Sequence, residues 1–335
     1  MKKEEEKKKS DLIPLLIEYK KVIGELFPIE RVKHLSNEVL IKRIKQCIKN
    51  KKRYDIQIFK LDNCQILNDE ELKQIISLMI KTLDSVNYDY KEIIEEILKP
   101  IVEREKGKKF DFKDHLYALV LTMLCNNRWG DTNIKNNINR IKAIFHDFDK
   151  NYLKLANSTY LVEELKKIHC TNLMINKQMK VLPYNIKMLE KIESDYDSLD
   201  EFVSIEDPNK IANLLYDGKY KMKQVGKSFA FDYLKKVGIN CCKSSTQMER
   251  LFGMSRLGIV TNEVATAGQV ISIIKKLAKL NNLKEIEVEL LLQQFCLSKF
   301  SNICSETPRC NKCFLREICN YNKWIKGTFC IFLIL

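Results

Sequence analysis

Four cysteines, Cys304, Cys310, Cys313 and Cys319, lie in the stretch CSETPRCNKCFLREIC with gaps of five, two and five residues. Thiolates are soft ligands, and four of them on one short loop suit either a tetrahedral Zn²⁺ or a [4Fe–4S] cluster. Zinc ribbons bring two separate Cys-x-x-Cys pairs, whereas here only Cys310 and Cys313 form such a pair. The spacing favours iron–sulfur and leaves zinc as the alternative. The other eight cysteines, Cys47, Cys64, Cys125, Cys170, Cys241, Cys242, Cys296 and Cys330, lack ligand spacing and read as small buried hydrophobes.

A second stretch, Lys221 to Gly238 (KMKQVGKSFAFDYLKKVG), has a short turn at Val225-Gly226 followed by a helix expected over about Ser228–Val237. Gly226 is expected to take backbone angles closed to other residues, and the first amides of the helix have no intrahelical acceptor. Such a helix start attracts phosphate, with Lys221, Lys223 and Lys227 adding longer-range attraction. An ordinary connection between two helices fits the same residues.

Taken together, QVGKSFAFDYLKKVG, the following KSSTQMERLFG and the cysteine loop resemble the helix-hairpin-helix DNA glycosylase superfamily, on its endonuclease III side. The resemblance runs from about Phe110, where FDFKDHLYALVLTMLCNN looks like the first core helix and its strand-probing turn, to Cys319; residues 1–100 match no pattern of that family. It implies an all-α, two-lobed fold with a [4Fe–4S] loop, plus an extra helical region at the N-terminus. The implied organisation is a helical extension over 1–103, a glycosylase-like core over 104–320 with the cluster loop at 304–319, and a tail over 321–335. The implied partner is double-stranded DNA bound by a monomer, with a flipped base cut from its sugar and a possible strand-cleaving lyase step.

The residues carry the pattern unevenly. Val225 and Gly226 match the hairpin, while Gln224 stands in place of its first glycine. Ser228 occupies the position of the Schiff-base lysine, with Lys227 one residue early, and Ser245 occupies that of the catalytic aspartate. Lys243, Thr246 and Arg250 fit; Gln247 replaces the usual histidine, and the first cysteine gap is five where six is usual. Ser245 and Lys227 are thus the candidate catalytic residues. Gln224, Val225, Gly226, Lys227, Ser228 and Lys223 are the candidate DNA contacts, joined by Asn127 at the probing turn and by Arg309 and Lys312 between the thiols. Asn126 and Trp129 flank that turn. Serine carries no charge at neutral pH, and a positioned acid–base group is worth about 10²–10⁴ in rate. Two readings stay open: base excision by an altered constellation, or a damage sensor that binds without cutting. A zinc-stabilised nucleic-acid module is a third.

The elements that must position these residues are helical. Only ten glycines and six prolines punctuate 335 residues, and apolar side chains recur at helical spacing. Asn68 with Glu71 forms a cap pattern before Leu72, Ile75, Ile76, Met79 and Leu83. His115–Leu124 reads as a nearly buried helix, Ile134, Ile138, Ile141 and Phe145 as another stripe, and Val264–Leu280 and Ile286–Cys296 as two more helices. EREKGKK at 103–109 reads as a boundary or hinge, and 195–207 as a second polar stretch.

Lys+Arg 58 against Asp+Glu 44 gives +14, a balance that favours polyanions, although a sequence rich in lysine, asparagine and isoleucine gains part of that charge without functional need. The charged start MKKEEEKKKS and the short apolar end CIFLIL predict neither a secretory leader nor a membrane span. A reducing cytoplasm is the expected compartment, with nucleoid association in a prokaryote.

Overall fold

The computed structural model describes residues 2–24, 27, 37–51, 67–125 and 132–322. Among them every regular element is helical, so the all-α expectation holds, and no helix is long and apolar enough to cross a membrane. Cys64, Asn126, Asn127, Trp129, Cys330 and the tail beyond Asn322 lie outside the described residues.

The chain forms two compact units, one from Met1–Ile75, Thr246–Thr266 and Phe295–Leu335, the other from Ile76–Ser245 and Ala267–Gln294. In the first, helices Lys2–Ile23 and Asn37–Asn50 pack through Leu12, Tyr19, Leu40, Ile44 and Cys47, with Phe27 set edge-on to Tyr19 at 5.1 Å. The cysteine loop belongs to this unit. The second holds the largest core, built around the helix Phe112–Cys125 and the 22-residue helix Ile175–Tyr196. Along Phe112–Cys125 the residues His115, Leu116 and Ala118 through Leu124 are buried, as a helix apolar on all sides requires.

Local signals explain several helix ends. Asn68 and Glu71 close a reciprocal capping box at 3.0 Å in each direction, and all five apolar residues expected on that helix face are buried. The stripe at 134–145 is cut at Asn137 into the helices Thr132–Asn136 and Ile138–Ile144. The later helices run Ala267–Asn281 and Glu285–Cys296, each within three residues of the expected ends. Of the isolated cysteines, Cys47, Cys170, Cys241, Cys242 and Cys296 are buried and Cys125 is half-buried.

Neither polar stretch is slack. Segment 103–109 ends the helix Lys91–Glu105, and Arg104 donates to the Val237 carbonyl at 3.0 and 2.8 Å and to Asp200 at 2.5 Å. Asp200 also accepts from the Phe110 amide, so a residue of the second polar stretch ties down both sides of the first. Ser198 and Asp207 cap the helices Leu199–Ser204 and Pro208–Tyr216. Gly238 has φ +79°, and a Cβ there would stand 2.7 Å from the Pro100 carbonyl oxygen, so only glycine fits. The boundary expected at 103/104 therefore falls within one unit, at a point where the chain is pinned.

His115 is fully buried; its Nδ1 shares a 2.5 Å hydrogen bond with the Tyr233 hydroxyl, while Nε2 has no partner among the described residues. Burial pushes its pKa down to about 3. The unfolded chain then takes up a proton near pH 6.5 that the folded chain refuses. The contribution to stability is complete above that pH and falls as pH drops toward 3, at up to about 1.4 kcal/mol per unit. Chemical denaturation between pH 7 and 5 should show the wild type losing stability faster than His115→Gln; parallel profiles would contradict this assignment.

Candidate functional site

The hairpin is held from below. Helix Pro208–Tyr216 is capped by Asp217, and beyond it the Tyr220 and Met222 amides return to the Leu214 and Leu215 carbonyls at 3.0 and 2.9 Å. Tyr220, Met222 and Val225 are buried, while Lys221, Lys223, Gln224, Gly226 and Lys227 face outward. Buried Asn185, on the helix Ile175–Tyr196, clamps the loop by accepting from the Lys223 amide at 2.8 Å and donating to its carbonyl at 2.9 Å. Lys223 Nζ also lies 4.2 Å over the Tyr184 ring.

The residue with the unusual backbone is not the expected one. Gly226 has φ −97° and ψ 176°, extended angles open to any residue, and the left-handed residue of the turn is Gln224 at φ 59°. An exposed polar residue tolerates that region when the flanking chain is clamped, as the Asn185 bonds do here. What marks Gly226 is space, since a Cβ added there would meet nothing within 4 Å. It caps the helix Lys227–Lys236 and, having no side chain, supplies no side-chain cap bond to the first-turn amides. Lys227 forms no ion pair among the described residues, whereas Lys221 pairs with Asp217 at 3.2 Å.

Behind the hairpin, the same helix carries Ser228, Asp232 and Lys235 at i, i+4 and i+7, one inward-facing polar stripe. Lys243 Nζ reaches Ser228 Oγ at 2.7 Å and Asp232 at 2.7 and 2.9 Å. Asp232 is 3 % exposed and Lys243 14 %. One helical turn deeper, Lys235 makes a two-pronged ion pair with Glu289 at 2.7 and 2.8 Å, both side chains being essentially sealed from water. Glu289 also accepts from Gln293 and from the Lys243 backbone amide, so residue 243 is fixed through both its main chain and its side chain. An ammonium group thus stands beside residue 228, supplied from Lys243 rather than from 228 itself. Ser245 lies two residues beyond this anchor, directly before the short helix Thr246–Phe252.

In the first unit Cys304 and Cys310 lie within reach of the Arg256 charge, Cys319 bonds to its carbonyl, and Cys313 neighbours the other three thiols. Burial pushes Cys304 up to about 11 and Cys313 up to about 12, and it raises Cys310 as well; repulsion from the other cysteines of the set adds to each shift. Every pairing of the four is close enough for such repulsion. Among the described residues no three His, Cys, Asp or Glu side chains stand together as a group that would hold one metal ion. Arg256 is 5 % exposed; it donates to the Glu306 carbonyl at 3.2 Å and stacks 4.1 Å over Tyr321. Its own carbonyl accepts from the Asn320 amide at 2.8 Å and from Cys319 Sγ at 3.4 Å. Its positive charge pulls Cys304 and Cys310 back down against burial, and it has no carboxylate partner among the described residues. Arg309 and Lys312 are exposed on the loop. Cys296 is buried, its thiol held well above the usual range chiefly by burial, in keeping with a core role.

Asn185, Asp232, Lys235, Glu289 and Arg256 were not singled out by sequence. The spacing of Ser228, Asp232 and Lys235 was the one available signal, a polar stripe in an otherwise apolar helix. Family models, curated proteins and solved structures yield no match to this chain.

Proposed function

We propose that this protein binds duplex DNA through the loop at 223–228 and removes a damaged or mismatched base, in the manner of the endonuclease III side of the helix-hairpin-helix glycosylases. The observation that carries the reading is the loop itself. A helix start whose cap residue is a glycine, an open position at Gly226 and outward Lys223 and Lys227 are held on a rigid seat by Asn185. Main-chain amides and lysines in this array suit a phosphate, which needs several donors at once and no base identity.

For chemistry, Lys243 supplies the ammonium that Ser228 lacks, with Asp232 holding it in place. Ser245 and Lys227 stay the candidate groups facing the sugar. The sensor reading is favoured by one observation: Asp232, the carboxylate bonded to Lys243 beside Ser228, is buried and committed to that lysine.

The thiol set fits an iron–sulfur cluster. A buried arginine without a carboxylate needs a negative neighbour, and four thiolates around a metal core provide one where neutral thiols do not. Cys304, Cys310, Cys313 and Cys319 would hold it, and it would brace the loop that presents Arg309 and Lys312.

Anaerobically prepared protein should be brown, with about four irons per chain; zinc in their place would overturn the cluster. Duplexes carrying oxidised pyrimidines, uracil, alkylated bases or mismatched adenine should reveal base release, and borohydride trapping should reveal a Schiff base if a lysine attacks the sugar. Retained duplex binding with no release across that panel would establish the sensor instead.

A further inference from the structure

The helix Ile175–Tyr196 is a clamp on one side and a charged rail on the other. Gln178, Met179, Leu182, Asn185, Ile186 and Leu189 are buried, while Lys177, Lys180, Tyr184, Lys187 and Lys191 face outward. Their spacing of three, four, three and four residues keeps them in one row, which runs roughly 21 Å at 1.5 Å per residue.

A lysine row is often a solvated face balanced by neighbouring acids, and here the balance is missing. The helix has three acids in its C-terminal half, and all are taken from elsewhere: Glu190 by Lys154 at 2.7 Å, Glu193 by Lys150 at 3.5 Å and Asp195 by Lys219 at 2.9 Å. The four outward lysines form no ion pair among the described residues, although Lys191 feels Asp195 at longer range. Tyr184 sits mid-row under Lys223 Nζ, and Asn185 beside it grips the Lys223 backbone. Row and loop are therefore one rigid piece of positive surface.

We infer that this row is the second half of the nucleic-acid footprint, a rail for the phosphates of the same duplex whose strand the loop holds. The inference rests on the proposed DNA binding and adds where the duplex runs. A duplex strand winds as it rises one phosphate per 3.4 Å of axis, so a straight row of this length meets only a few phosphates, at most about one for each of its four lysines. Acidic lipid is the other polyanion a lysine row attracts, but Lys223 above Tyr184 joins this one to the loop.

The test is fluorescence anisotropy of the full chain with a labelled duplex over a range of salt, comparing wild type with a variant carrying Lys→Gln at 177, 180, 187 and 191. Each lost phosphate contact removes about 0.9 from the slope of log K against log salt, so the slope should fall by about 2 to 3.6 with the thermal midpoint unchanged. Anionic phosphatidylserine vesicles and a single strand of equal length should bind the wild type more weakly than the duplex. A wild type that binds duplex while the variant keeps its slope to within about 1 overturns the rail and leaves the loop intact. Tighter binding to vesicles also overturns it. A wild type that ignores duplex at low salt overturns the underlying DNA reading.

Discussion

Glu289→Ala should destabilise the protein by about 3–5 kcal/mol, the usual cost of removing one partner of a buried ion pair. Lys235 would be left charged at 1 % exposure, and the Lys243 amide and Gln293 would lose their acceptor. Repulsion or loss of packing elsewhere does not predict the companion result. Lys235→Met combined with Glu289→Leu removes both charges and refills the volume, so most of that stability should return. The double variant still lacks the acceptor for the Lys243 amide. Its deficit should therefore appear in whatever depends on the placing of residues 243–245, including DNA chemistry if base excision occurs. Urea denaturation of the two variants measures the first part. A single variant as stable as wild type would mean that the pair does not form.

Gly226→Ala should separate fold from binding. Its extended backbone angles suit alanine, and the added Cβ meets nothing within 4 Å, so stability should shift by no more than about 0.5 kcal/mol. The same methyl group would stand between an approaching strand and the first-turn amides. Affinity for duplex should fall by at least about tenfold, equal to 1.4 kcal/mol, and it should do so for every sequence, because phosphate contacts carry no base identity. Equal thermal midpoints together with equal affinities would show that the strand does not pass over Gly226.

These two cases also show what was legible in the sequence. Helix positions were, because short-range rules decide them: the Asn68–Glu71 box, the buried run His115–Leu124 and the hairpin helix all fall close to where periodicity and caps put them. The loop was located, but the task of its glycine was misread. Strain sits on Gln224, and a clamp 38 residues away at Asn185 makes that bearable, which no local pattern reveals. The Lys235–Glu289 pair spans 54 residues and joins two helices whose sequences read as ordinary. Arg256 lay outside the cysteine spacing that drew attention to the loop, and only its burial exposes the need for a negative neighbour. Polar residues that serve one another across the chain are invisible to spacing, whereas those that serve their own helix are not.

The most direct measurement is equilibrium binding of the anaerobically purified wild type to a labelled duplex as salt is raised. The expected result is a brown protein whose log affinity falls linearly with log salt, steeply enough to report several phosphate contacts. Colourless protein that leaves the duplex free even at low salt would contradict both the strand-gripping loop and the thiolate-held centre.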